Sequence, residues 1–297
     1  MFTRPASLAV TRIEMFFHDV LLGHATGFLY SFGQTLGLVS NWHVFSGRHP
    51  ETGEPTHFTG YTPNRVEFHI SVATYKQGGV SIHFRPMALP IVSDGRPLWW
   101  QHQGYSHASG QPRHVDIGVL PLSDVIDDFA EIKESIQSFD AQVLVRTAEN
   151  PEDWTIEPGT VRVGSEVFIL GYPLGLASQG VVPIWKRGSL ASEPLIKIEG
   201  DIPIIFVDAL TRHGMSGSPV LYLGPEVIDH TGMPFGPPRQ PHEQPWLIGV
   251  YAGRRVASED ELQMALGRVW KRDLLDEIFF HRVPGGSSPV LSGQGSP

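Results

Sequence analysis

The stretch with the clearest chemical potential is residues 213–219, which read His-Gly-Met-Ser-Gly-Ser-Pro and place Ser216 between two glycines. Glycine lets a backbone turn tightly and approach a reacting atom closely. A serine in such a turn can expose its Oγ while neighbouring backbone N–H groups converge in front of it, as acyl transfer requires. Turns of this composition also join ordinary strands. The function of Ser216 therefore depends on whether the chain supplies partners for it.

A serine nucleophile needs a base, and the chain contains 14 histidines from which to choose. His43 follows the apolar run Leu-Gly-Leu-Val-Ser in a short turn before Val44, which predicts a fixed and partly buried position. The other candidates lie in polar or Pro/Gly-rich stretches, which predict solvated loop residues: His49, His57, His102, His107 and His114. His43 is therefore the preferred base.

A base in turn needs a group that orients it, and Asp116 is the preferred acid. It opens the apolar run Asp-Ile-Gly-Val-Leu, where a buried carboxylate is costly unless a partner receives it. The trio His43, Asp116 and Ser216 is therefore the candidate catalytic set, with histidine as base and aspartate as its orienting group.

The composition favours many short strands to position these residues, because 32 glycines and 25 prolines demand many turns. The strand-rich halves predict two similar barrels. We expect an N-terminal barrel over residues 1–140, which carries His43 and Asp116, and a second barrel over 141–257, which carries Ser216. Apolar residues at helical spacing predict a C-terminal helix over 258–282, and residues 283–297 are predicted to be a disordered tail.

Charge and cysteine content exclude several classes of function. The formal net charge is −9 and no basic run occurs, so nucleic acid is not an expected partner. The chain has no cysteine, which excludes disulfides and thiolate metal sites and favours an intracellular bacterial setting. No signal peptide or apolar run of membrane-spanning length is seen, so we expect a cytoplasmic protein with no membrane association.

Several motifs together resemble the trypsin-like (chymotrypsin-fold) serine peptidases. Thr26-Gly27-Phe28 and the segment 38–44 are similar to the family's histidine region, 116–120 to its aspartate strand, and 214–219 to its serine turn. The order His, Asp, Ser is also that of the family. The absence of cysteine and the segment Val-Phe-Ile-Leu-Gly-Tyr-Pro at 167–173 resemble bacterial and HtrA-type members more than secreted digestive enzymes.

This resemblance implies an all-β fold of two six-stranded antiparallel barrels packed side by side, with a C-terminal α-helix and the site in the cleft between them. It implies a serine endopeptidase that forms an acyl-enzyme on Ser216 and acts on polypeptides, without a cofactor or a metal. The backbone N–H groups of Gly214 and Ser216 would form the oxyanion hole. The residues expected to line the substrate pocket are Leu210, Thr211, His213, Tyr251 and Arg254.

Two departures from the family pattern change these expectations. Met215 replaces the acid that receives a freed N-terminal ammonium in zymogen-activated members, so the oxyanion hole must be held in another way. Leu210 takes the position at the base of the specificity pocket, which favours an apolar side chain on the acyl side of the scissile bond. An acidic side chain received by His213 or Arg254 is the second expectation.

Three other functions compete with a peptidase. A peptidase-like fold could serve as a catalytically latent binding module. An α/β-hydrolase-type esterase is the second alternative, because Asp229 and His230 follow Ser216 in the order of that class, although the apolar run after Pro219 does not predict the helix it requires. A metal site would need His102, His107 and His114, whose spacing fits no helix face. The sequence does not predict an oligomeric state.

Overall fold

The computed structural model of the chain describes residues 5–76, 79–106, 112–123, 125–126, 128–140, 161–178, 180–194, 196–198, 202–223, 245–254 and 266–286. The described helices are α1 (Pro5–Leu8), α2 (Trp42–Ser46), α3 (Phe129–Ile132) and α4 (Asp273–His281), with 3₁₀ turns at Lys133–Ser135 and Pro173–Gly175. No helix among the described ranges is long and apolar enough to cross a membrane.

The strands fall into two groups. Those of the first half are β1 (Val10–Phe17), β2 (Val20–Phe32), β3 (Thr35–Ser40), β4 (Arg65–Lys76), β5 (Gly79–Pro90), β6 (Val92–Ser93), β7 (Arg96–Pro97), β8 (Trp100–Gln101), β9 (Tyr105–Ser106), β10 (Pro112–Arg113), β11 (Gly118–Pro121) and β12 (Phe139–Asp140). Those of the second half are β13 (Glu166–Gly171), β14 (Ile184–Leu190), β15 (Ile204–Asp208), β16 (Pro219–Tyr222), β17 (Trp246–Arg254), β18 (Leu266–Lys271) and β19 (Val283–Pro284).

The second half forms the expected six-stranded barrel. Its strands close in the order β13-β14-β15-β18-β17-β16, and every neighbouring pair is antiparallel. Alternate residues point inward, as a strand's period of two requires. The buried side chains form one apolar cluster that includes Val167, Ile169, Val207, Val220 and Val269. Closure leaves no free strand edge in this unit.

The first half is a larger sheet and differs from the six-stranded barrel that the resemblance implies. Its nine strands run in the order β19-β8-β11-β3-β2-β1-β4-β5, with β12 beside β2. The long hairpin of β4 and β5 extends one end of the sheet. At the other end, β19 pairs with β8, and Gly285 donates a 2.7 Å hydrogen bond to the Trp99 carbonyl. The prediction of disorder is therefore wrong for 283–286, and 287–297 lie outside the described residues.

The C-terminal helix is shorter than predicted. Residues 266–271 form β18, and only Asp273–His281 are helical. The predicted end of the second barrel at residue 257 is therefore wrong, since β18 supplies its sixth strand. The apolar spacing suggested a helix because β18 is buried on both faces. Val269 lies in the barrel cluster, and Trp270 lies in the cluster between the two units. Residues 255–265, where that helix was predicted to begin, lie outside the described part of the chain.

The two units share one apolar interface. Its cluster combines Phe28 and Ile117 of the first unit with Leu221, Val250 and Trp270 of the second. Residues of α4 complete this cluster. Burial of apolar side chains from both units is the main favourable contribution to the free energy that holds them together. The all-β class with a short C-terminal helix is confirmed, and the interface places the ends of β3, β11 and the serine turn near one another.

Candidate active site

His43 is positioned by a short helix at the end of a buried strand. β3 ends at Ser40, and α2 then begins with Trp42, which is fully buried and anchors the turn. Val44 and Phe45 are buried as well, so the five-residue helix presents His43 on its partly open side. The prediction of a fixed, partly buried histidine is confirmed.

Asp116 lies beside His43 and accepts its hydrogen bonds. The carboxylate is 2% exposed. Its Oδ1 accepts the His43 backbone N–H at 3.0 Å, and Oδ1 and Oδ2 lie 3.0 and 2.9 Å from His43 Nδ1. An ionised carboxylate only accepts, so Nδ1 must carry the proton. In the neutral ring, Nε2 is then left with a free lone pair, which is the form a general base needs.

The electrostatics keep Asp116 ionised. Burial alone raises the pKa of this carboxyl, but the adjacent His43, its two hydrogen bonds and the charge of Arg268 outweigh burial and lower the pKa overall. The Asp116 carbonyl also accepts a 2.7 Å hydrogen bond from Asn41 Nδ2, which fixes the backbone of the two segments against each other. The acid is therefore charged and held in place where it meets the imidazole.

The serine turn takes its shape from two glycines with positive φ. Gly214 has φ 91° and Gly217 has φ 83°, values that residues with a Cβ rarely adopt. Gly217 N–H donates to the Tyr251 carbonyl at 2.9 Å, and Tyr251 N–H donates to the Ser218 carbonyl at 2.8 Å. The turn is thus bonded to Tyr251 of β17, and Ser216 is partly open.

Thr26 of the first unit bonds directly to this turn. Its N–H donates to the Ser216 carbonyl at 2.9 Å, and its Oγ1 donates to the Gly214 carbonyl at 2.6 Å. The same Oγ1 accepts the Tyr172 N–H at 3.1 Å, while the Thr26 carbonyl accepts from Ser40 Oγ at 2.7 Å. Since Ser40 ends the strand that leads to His43, Thr26 brings the serine turn and the histidine segment to one place.

Two backbone N–H groups of the turn remain available. Within the described ranges, the N–H groups of Gly214 and Ser216 donate to no protein acceptor, whereas the intervening Met215 N–H donates to the Arg212 carbonyl at 3.3 Å. Two unengaged backbone N–H groups, one of them that of the serine itself, are what an oxyanion site requires. Within the described ranges, no hydrogen bond joins Ser216 Oγ to His43, whose ring bonds to Asp116.

The predicted pocket residues occupy different environments. Thr211 and Tyr251 are buried, and their hydroxyl groups are hydrogen-bonded to each other. Leu210 is 54% exposed and His213 is also exposed, so Leu210 does not lie at an enclosed pocket base. Arg254 ends β17, and its side chain lies outside what the structure describes.

Two histidines predicted to be solvated are in fact buried, so that prediction is wrong for them. His102 Nε2 pairs with Glu277 Oε2 at 2.8 Å, and its Nδ1 accepts the Gly104 N–H. His114 stacks on Trp42 with ring centroids 4.7 Å apart, and burial lowers its pKa to about 4. The described residues contain no group of three His, Cys, Asp or Glu suited to a metal, and His107 lies outside them.

Sequence reasoning missed the structural roles of two residues at this site. Thr26 was interpreted only as part of a Thr-Gly-Phe motif. Its position before a glycine in an apolar strand could have indicated a structural role. Arg268 was assigned to a helix. It instead lies on β18, where it pairs with Glu51 at 2.6 Å across the two units and stands near enough to Asp116 to lower the pKa of that carboxyl.

Comparison with solved structures finds similar chains at low sequence identity. No family model matches the chain, and no curated protein matches it in sequence. The protease Rv3671c of M. tuberculosis in its active form is similar at 16% identity with a TM-score of 0.39, over 95% of this chain and 83% of that one. The serine endoprotease of Yersinia pestis is similar at 12% identity with a TM-score of 0.44, over 93% and 63%. The HtrA-type protease AlgW with a tripeptide is similar at 14% identity with a TM-score of 0.42, over 94% and 61%.

All three neighbours are described as proteases, one of them as HtrA-type. The case for an activity of this chain rests on the arrangement around His43, Asp116 and Ser216.

Proposed function

We propose that the chain is a serine endopeptidase in which Ser216 is the nucleophile, His43 the general base and acid, and Asp116 the orienting group. The observation that carries the proposal is the buried Asp116 carboxylate, which accepts both the backbone N–H and the Nδ1–H of His43. A buried charge of this kind is costly unless a partner receives it, and here the partner is a histidine whose preceding strand is joined to the serine turn through Thr26.

The proposed reaction uses these atoms in sequence. Ser216 Oγ attacks the peptide carbonyl carbon while His43 Nε2 takes the hydroxyl proton. The N–H groups of Gly214 and Ser216 donate to the oxyanion, and Asp116 stabilises the imidazolium through Nδ1–H. His43 then gives the proton to the leaving amine, the C–N bond breaks, and an acyl-enzyme remains on Ser216. Water activated by His43 releases the acid product and regenerates the serine.

The substrate side of the proposal is a polypeptide with an apolar residue on the acyl side of the scissile bond. Leu210 is exposed and offers apolar surface, while the hydroxyl groups of Thr211 and Tyr251 are hydrogen-bonded to each other. An acidic residue received by His213 or Arg254 is the second candidate, since the exposed His213 immediately precedes the proposed oxyanion donor Gly214.

A catalytically latent binding module is the second candidate function. It is favoured by one observation: the described residues contain no hydrogen bond from Ser216 Oγ to His43. Such bonds are often long before substrate binds, so this observation weighs less than the formed His43–Asp116 pair. An α/β-hydrolase is not supported, because a strand (Pro219–Tyr222) follows the serine where that class requires a helix. Asp229 and His230 lie outside the described residues.

Labelling by a fluorophosphonate probe distinguishes the two candidates. We expect the parent chain to be labelled, and Ser216→Ala and His43→Ala to lose labelling while keeping the parent's melting temperature within a few degrees. His83→Ala is the matched control, because His83 is an exposed histidine on β5 of the same unit. A folded parent that is not labelled would favour the binding module. Equal losses in the His43 and His83 variants would remove His43 from the mechanism.

A further inference from the structure

Met215 is an apolar residue between the two N–H groups proposed to bind the oxyanion. Its side chain is 0% exposed, although Gly214 and Ser216 on either side are partly open. It belongs to the apolar cluster of the closed barrel, together with Val167, Ile169 and Val220 among others. The serine turn therefore sends one side chain into the core of the second unit.

The position of Met215 leaves little room for movement. A Cβ placed on Gly171 of β13 would lie 3.0 Å from Met215 Sδ, so the thioether packs against the backbone of that strand. The Met215 N–H donates to the Arg212 carbonyl, and the Met215 carbonyl accepts the Ser218 N–H at 3.1 Å. Side chain and backbone are thus both fixed, and the peptide groups on each side of Met215 share that constraint.

The surroundings also explain why an acid is not needed here. The apolar cluster to which Met215 belongs consists otherwise of aliphatic residues and Tyr251. A charged residue would be strongly disfavoured in such a place. A flexible thioether fills irregular apolar space well. The turn is therefore held by apolar packing at the residue where zymogen-activated members of the resembled family carry an acid.

We propose that Met215 is the positioning residue of the oxyanion site: its burial holds the Gly214 and Ser216 N–H groups in a preformed arrangement without an ion pair. This inference rests on the proposed function, because the oxyanion is that of the acyl-transfer reaction. Its substitution should lower kcat more than it changes KM, since these N–H groups act on the transition state.

The test compares Met215→Ala with Met215→Leu and with a matched core truncation, Leu190→Ala. Leu190 belongs to the same cluster but lies on β14, which pairs with β13 and β15 and not with the serine turn. At a temperature where all variants are folded, we expect Met215→Ala to lose about tenfold to a hundredfold in kcat, which is less than the loss of a whole oxyanion donor. Met215→Leu should retain kcat within about threefold, because volume-conserving apolar changes are well tolerated.

Hydrogen exchange of residues 212–218 supplies a second readout that needs no turnover. Met215→Ala should speed exchange in this segment, whereas Leu190→Ala should lower the melting temperature similarly and leave exchange there unchanged. Equal losses of kcat and equal exchange in the two truncations would overturn the inference. If neither the parent nor any variant turns over peptide or labels, the proposed function fails, and exchange alone decides whether Met215 orders the turn.

Discussion

Replacing Thr26 with valine should lower the free energy of unfolding of the protein as well as disturb the candidate active site. Thr26 is fully buried, and valine matches its shape while removing Oγ1. Two hydrogen bonds are lost: the one donated to the Gly214 carbonyl at 2.6 Å and the one accepted from Tyr172 N–H at 3.1 Å. A buried polar group left without a partner costs about 1–3 kcal/mol. The partial exposure of Gly214 should moderate this cost, so we expect a loss of about 2–4 kcal/mol in the free energy of unfolding.

Denaturant unfolding followed by tryptophan fluorescence measures this loss, with Thr26→Ser as the control that keeps the hydroxyl. Thr26→Val should move the midpoint to lower denaturant at an unchanged slope, and Thr26→Ser should move it less. Fluorophosphonate labelling of folded Thr26→Val should also be slower, because the Gly214 peptide loses an anchor. The reasoning is refuted if the two variants are equally stable, or if valine costs less than about 0.5 kcal/mol.

Two further predictions concern burial and backbone shape. Burial lowers the pKa of His114 to about 4, below the value of about 6.5 in the unfolded chain. The stability linked to neutral His114 is therefore fully present above about pH 6.5 and is lost as the pH falls from about 6.5 to about 4. His114→Phe should keep the ring stacked on Trp42 and show a smaller pH dependence of unfolding than the parent; an identical dependence would contradict this. Gly217→Ala should abolish labelling and lower the melting temperature, because its Cβ would overlap Ser40 Oγ and the Thr26 carbonyl at a positive φ. Retained labelling in that variant would show that the turn adapts.

The sequence was most informative where chemistry and local structure coincide. His43 follows an apolar strand, and Asp116 opens another, so each was predicted from its own neighbourhood and the structure brings the pair together. The glycines around Ser216 likewise predicted a turn, which the positive φ values of Gly214 and Gly217 confirm.

The sequence failed where tertiary packing decides the outcome. Residues 266–271 carry apolar side chains at spacings that suit a helix. In the structure they form the sixth strand of the barrel, and both faces of that strand are buried. His102 and His114 lie in polar stretches, yet both are buried. His102 pairs with Glu277 of α4, and His114 stacks on Trp42. Contacts between residues so far apart in sequence leave no periodic signal along the chain.

The pairing of β19 with β8 has a consequence for how the molecule opens. After the second barrel, the chain runs through α4 and adds β19 to the sheet of the first unit. A second connection lies near the N-terminus, where Thr26 of the first unit bonds to the serine turn of the second. A hinge-like separation of the units would have to break both connections together with the shared apolar interface. We therefore expect the two units to unfold in a single cooperative transition.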